Sequence, residues 1–170
     1  MKTILSSVIL LATALSAQNY NYQTIDVSGA TATQARGINN NGDIVGIYNF
    51  SDGLIHGFLL RGGTLMFLDC PGAAQTAPRA INNEGEIVGW TIDSKGNPHG
   101  LLIDKTGCHI FDIPGAAATL ARSINDHGVI AGDWNNNVSS SCFVLKKKKF
   151  ISFGFPGQTL NSCTGINNAG

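Results

Sequence analysis

At 170 residues, with eleven basic and eleven acidic side chains, the chain is of single-domain length and carries no net charge. Charged residues make up only 13% of it, which excludes the basic surface that nucleic acid or an anionic membrane face would demand. A hydrophobic share of 43% excludes wholesale disorder, and the 21 glycines point to many tight turns.

In chain order, residues 1–17 read first, as a secretory signal peptide. Lys2 supplies the positive start, Ile4 to Leu15 a short apolar core, and Ala14, Ser16 and Ala17 the small residues of a cleavage site. The apolar core is too short to span a bilayer, so no transmembrane segment is expected in the mature chain. The rest, residues 18–170, is expected in an extracellular or periplasmic compartment that permits disulfides.

A unit of about 43 residues then recurs. Gly37-Ile38-Asn39-Asn40-Asn41-Gly42-Asp43-Ile44-Val45-Gly46 returns as Ala80-Ile81-Asn82-Asn83-Glu84-Gly85-Glu86-Ile87-Val88-Gly89 and as Ser123-Ile124-Asn125-Asp126-His127-Gly128-Val129-Ile130-Ala131-Gly132. It starts again at Gly165-Ile166-Asn167-Asn168. Within one unit four short strands are predicted, at Ala35 to Asn39, Asp43 to Tyr48, His56 to Arg61 and Thr64 to Asp69. Asn40-Asn41-Gly42 and Gly62-Gly63 make the tight turns, and Pro-Gly segments link the units. Thr24 to Val27 reads as a last strand that precedes the first unit. Four strands in such a length predict an all-β fold of propeller-like tandem repeats, with a stacked β-solenoid as the rival. Three full units and the start of a fourth read as an incomplete array, whose open edges invite self-association or pairing with a partner.

Several residues recur with the unit. Asp26, Asp69 and Asp112 each precede an arginine, Arg36, Arg79 and Arg122, by ten residues, and both become other residues together at Gly154 and Thr164. Joint loss suggests that the two side chains form a structural ion pair. The alternative is a ring of charges around a central channel. The Asn-rich turns are explained by turn chemistry without calcium. His56 and His99 share one repeat position, which favours structure, and no zinc-ligand spacing joins them to His109 or His127. The four cysteines occupy four different repeat positions and allow three connectivities. Cys142–Cys163 is the preferred bridge, with Cys108 expected near the opposite turn from the other three. Lys146 to Lys149 read as a solvated turn, at the point where the third unit looks one residue shorter.

The Ile-Asn-Asn-x-Gly-x-Ile-Val-Gly phrase, with His56-Gly57-Phe58 and His99-Gly100-Leu101, resembles the bacterial extracellular repeat family named for its His-Ala-Phe signature. The triplet is altered here, and becomes Ser141-Cys142-Phe143 in the third unit. The resemblance extends over essentially all of residues 18–170, implies a secreted surface protein, and carries no catalytic residue or cofactor across. The expected function is therefore a secreted, non-catalytic module that binds an extracellular protein or glycan. A glycan-acting hydrolase or lyase and a remnant without independent activity stay open as alternatives. Glu84 and Glu86 have no assignable carboxylate partner.

Overall fold

A computed structural model describes residues 21–170, so the expected signal at residues 1–17 lies outside the described residues. Twelve strands form three separate four-stranded antiparallel sheets, and no helix occurs among the described residues. The first sheet is β1 (Ala32–Ile38), β2 (Ile44–Asn49), β3 (Ile55–Arg61) and β4 (Thr64–Phe67). The second is β5 (Gln75–Ile81), β6 (Ile87–Ile92), β7 (Pro98–Asp104) and β8 (Gly107–Phe111). The third is β9 (Ala118–Ile124), β10 (Ile130–Asn135), β11 (Ser140–Lys146) and β12 (Lys149–Phe153). Each is an up-and-down meander in chain order, the arrangement of a propeller blade, and the expected propeller-like tandem repeat is the fold.

The strands form where β-branched and aromatic residues alternate, and they stop where the turn residues begin. In the second unit the turn runs through Asn82 to Gly85, whose φ of +81° is a conformation that glycine adopts without strain. Asn82 Oδ1 accepts the backbone N–H groups of Glu84 and Glu86 at 3.1 and 2.8 Å, so the side chain completes the turn that the sequence begins. Two bonds at the same offsets hold Asn39 and Asn125.

The units stack face to face. Val45 and Leu59 of the first pack on Ile81 and Ile87 of the second. Val88 of the second packs with Ala121, Ile124, Ile130 and Phe143 of the third. Gly89 permits a close approach inside the sheet, because a Cβ there would collide with the carbonyl of Ala77.

Three expectations are corrected. Thr24 to Val27 forms no strand; Val27 is instead buried against Tyr48 and Phe58 beside the first sheet. The first strand of the first unit begins at Ala32, three residues before the expected Ala35, because its ladder with β2 extends to Asn49. The shortened part of the third unit is the loop between β10 and β11, since Lys147 and Lys148 form a two-residue turn like those of its sisters.

Candidate functional site

The recurrent aspartates and arginines do not form the expected pairs. Asp69 Oδ2 lies 3.0 Å from Nδ1 of His56, and Asp112 Oδ2 lies 2.8 Å from Nδ1 of His99. Asp26, with no such histidine before it, accepts the Thr33 hydroxyl at 3.0 Å. Asp69 and Asp112 therefore each close the third strand of their own sheet, Asp26 bonds the first strand β1, and the arginine of the following unit turns elsewhere. The loss in the third unit is also matched by the histidine, since Ser141 and Gly154 stand at the corresponding positions. The Asp112 hydrogen bond is the largest influence on His99 and raises its pKa; burial opposes it, and Asp93 at 3.5 Å adds to it.

The arginines turn elsewhere because each is the extra residue of a β-bulge. The β1–β2 ladder slips between Ala35 and Gly37, the β5–β6 ladder between Pro78 and Ala80, and the β9–β10 ladder between Ala121 and Ser123. The residue inside each slip is Arg36, Arg79 or Arg122. A bulge re-aims the side chain it carries. Here the first strands of successive units pack against one another, and the three arginines line one opening of about 520 Å³. Thr164, at the fourth position of the series, lines it too.

Trp90 and Asp133 give this opening its asymmetry. The Arg36 guanidinium carbon lies 5.4 Å from the Trp90 ring centroid, and that of Arg122 lies 5.3 Å from it. Arg122 also makes a two-point bond to Asp133, Nε to Oδ1 at 2.8 Å and Nη2 to Oδ2 at 3.2 Å. Arg36 and Arg79 make no ion pair among the described residues. Nη1 of Arg36 is buried and bonds to no protein acceptor. Burial, then the charges of Arg79 and Arg122, hold the Arg36 pKa below its ordinary value.

Other recurrent residues join the units. Asn39 Nδ2 donates to the carbonyl of Asn82 at 3.0 Å, Asn82 Nδ2 to that of Asn125 at 3.1 Å, and Asn125 Nδ2 to that of Asn167 at 3.0 Å. The hydroxyls of Thr33, Thr76 and Thr119 accept the backbone N–H of the residue six before each. Both ladders follow the repeat spacing, which was the signal available in the sequence.

Cys142 and Cys163 are disulfide-bonded, with Cα atoms 5.5 Å apart. Cys70 and Cys108 form a second disulfide at 5.8 Å, so Cys108 does not stand apart from the other three as expected. Two disulfides are the mark of an oxidising, non-cytoplasmic environment. Among the described residues, no helix is long and apolar enough to cross a membrane. No group of three His, Cys, Asp or Glu side chains among the described residues is placed to hold a metal ion.

No family model matches the sequence, and no curated protein matches it. A solved structure described as a streptogramin B lyase is similar to 72% of this chain at 18% identity, with a TM-score of 0.45. The match covers 41% of that protein, so the chain spans less than half its length. Nothing about activity passes to this chain from a likeness at that level.

Proposed function

We propose that the chain is an exported, non-catalytic binding module that takes its ligand at the opening between its first strands. The observation that carries this reading is the convergence of Arg36, Arg79 and Arg122 from three successive units on one opening. Repeat scaffolds bind through surfaces assembled from equivalent positions of neighbouring units. The signal-like residues 1–17 and the two disulfides support export. A glycan-acting hydrolase or lyase is the competing reading. The opening favours binding, because Asp133 is already engaged by Arg122 and the polar side chains that line it are Gln34, the three arginines, Ser123 and Thr164, with no pair of carboxylates.

The test is a glycan array probed with the full chain, followed by a product assay on every glycan retained. Saturable retention without product, lost on Trp90→Ala, is the expected result. Accumulating product would move the chain to the enzymes, and retention indifferent to Trp90→Ala would place the binding surface elsewhere.

A further inference from the structure

We infer that the opening between the first strands is an oxyanion receptor, in which Arg36 and Arg79 hold a carboxylate or sulfate group of the ligand. This rests on the reading of the opening as the binding site and adds the chemical class of the ligand.

The three arginines are not equivalent, and their differences define the receptor. Arg122 is neutralised by Asp133 through both ends of its guanidinium. Arg36 and Arg79 keep their charge, with no ion pair among the described residues. Like charges on neighbouring bulges repel one another, which is part of why the Arg36 pKa is lowered. A guanidinium offers five donors in a fixed fork and is recognised best by a planar or tetrahedral oxyanion. Arg36 has a buried Nη1 without a protein acceptor, and the Trp90 ring positions its guanidinium. Burying such a donor is unfavourable unless an acceptor meets it. The same ring lies 5.3 Å from the Arg122 guanidinium, so Trp90 serves to hold two of the arginines at the opening. An opening of about 520 Å³ is of the size that small-molecule sites have.

The experiment is calorimetric titration of the full chain at constant ionic strength. The probes are galacturonate, sulfate, inorganic phosphate and neutral galactose. Galacturonate and sulfate are expected to bind and galactose not. Arg36→Gln should weaken both anions about tenfold or more, as loss of a charged hydrogen bond does. Lys147→Gln, on the distant β11–β12 turn, should change nothing. Arg79→Gln serves as a second variant if Arg36→Gln fails to fold, as judged by circular dichroism. Phosphate binding far more tightly than galacturonate and sulfate would overturn the assignment to a carboxylate or sulfate. Galactose binding as well as galacturonate, with loss on Trp90→Ala, would overturn the oxyanion inference and leave the opening as the binding site. Anion binding that survives both arginine variants but is lost with Lys147→Gln would overturn the inference and the site together. Failure of every probe to bind would overturn the inference.

Discussion

At the turn end of the second unit, Asn82 uses its whole side chain inside the protein. Its oxygen caps two backbone N–H groups of its own turn, and its nitrogen donates to Glu86 and to the carbonyl of Asn125 in the next unit. At the bulge of the same unit's first strand, Arg79 recurs at the same spacing but makes no ion pair among the described residues. Both residues come back with the repeat, so recurrence alone does not separate scaffold from site. What separates them is whether the bonds of the recurring group close within the protein.

The largest effect should come from breaking the closed member of this comparison. Asn82→Ala removes four hydrogen bonds at a buried position and leaves two backbone N–H groups and a neighbouring carbonyl without their partner. With each unsatisfied buried group worth about 1–3 kcal/mol, a loss of about 4 kcal/mol is expected in urea unfolding. A loss below about 1 kcal/mol would mean that the ladder between units is ornamental.

The disulfide between Cys70 and Cys108 tests the same contrast with a staple that does not recur. It closes a separation of 38 residues across the boundary between the first and second units. Replacing both cysteines with serine should cost about 3 kcal/mol, the ordinary scale for a disulfide. Unfolding of the double variant at an unchanged denaturant midpoint would show that the Asn ladder and the packing of Val45 and Leu59 on Ile81 and Ile87 fasten these units without the staple.

Much of the scaffold was legible because its signals are local and repeat. Strand type, the Asn-Gly turns and the unit length all follow from residues next to one another in sequence. The partner of Asp69 was not legible in the same way. Two residue types, the histidine thirteen before and the arginine ten after, vanish together with the aspartate in the third unit. Only the bulge, which turns Arg79 away, decides between them, and a bulge leaves no mark in composition. Trp90 was missed for the opposite reason. It stands where its sister units carry Ile47 and Asp133, so a search for recurrence passes over it. The site is thus written partly in the repeat and partly in its departures.

A smaller effect concerns the aspartates that close their own sheets. The Asp112 hydrogen bond raises the His99 pKa, so protonated His99 is favoured in the folded state. A raised folded pKa contributes stability below the unfolded value of about 6.5, and that contribution is lost as pH rises through the folded value. For a partly exposed pair the amount is about 0.5 kcal/mol. Nuclear magnetic resonance titration should find the His99 imidazole above its ordinary pKa and return it downward in Asp112→Asn. An unchanged titration in that variant would detach Asp112 from the histidine. A double-mutant cycle on His56 and Asp69 should likewise be non-additive, whereas one on Asp69 and Arg79 should be additive.

The smallest effect, with the opposite sign, sharpens the open member of the comparison. Arg79 lies on the same opening as Arg36 and Arg122, and its charge lowers the Arg36 pKa. Removing that charge relieves repulsion and breaks no ion pair among the described residues. Arg79→Gln should therefore leave stability unchanged or raise it by about 0.5 kcal/mol, the ordinary scale for a surface charge change. The measurement is urea unfolding at low and high salt, since relief of repulsion shrinks as salt screens the charges. A loss above about 1 kcal/mol, insensitive to salt, would make Arg79 a structural residue and return the recurrent arginines to the scaffold. A gain that fades with salt would mean that this position is kept charged against the interest of the fold, as expected of a group whose partner comes from outside.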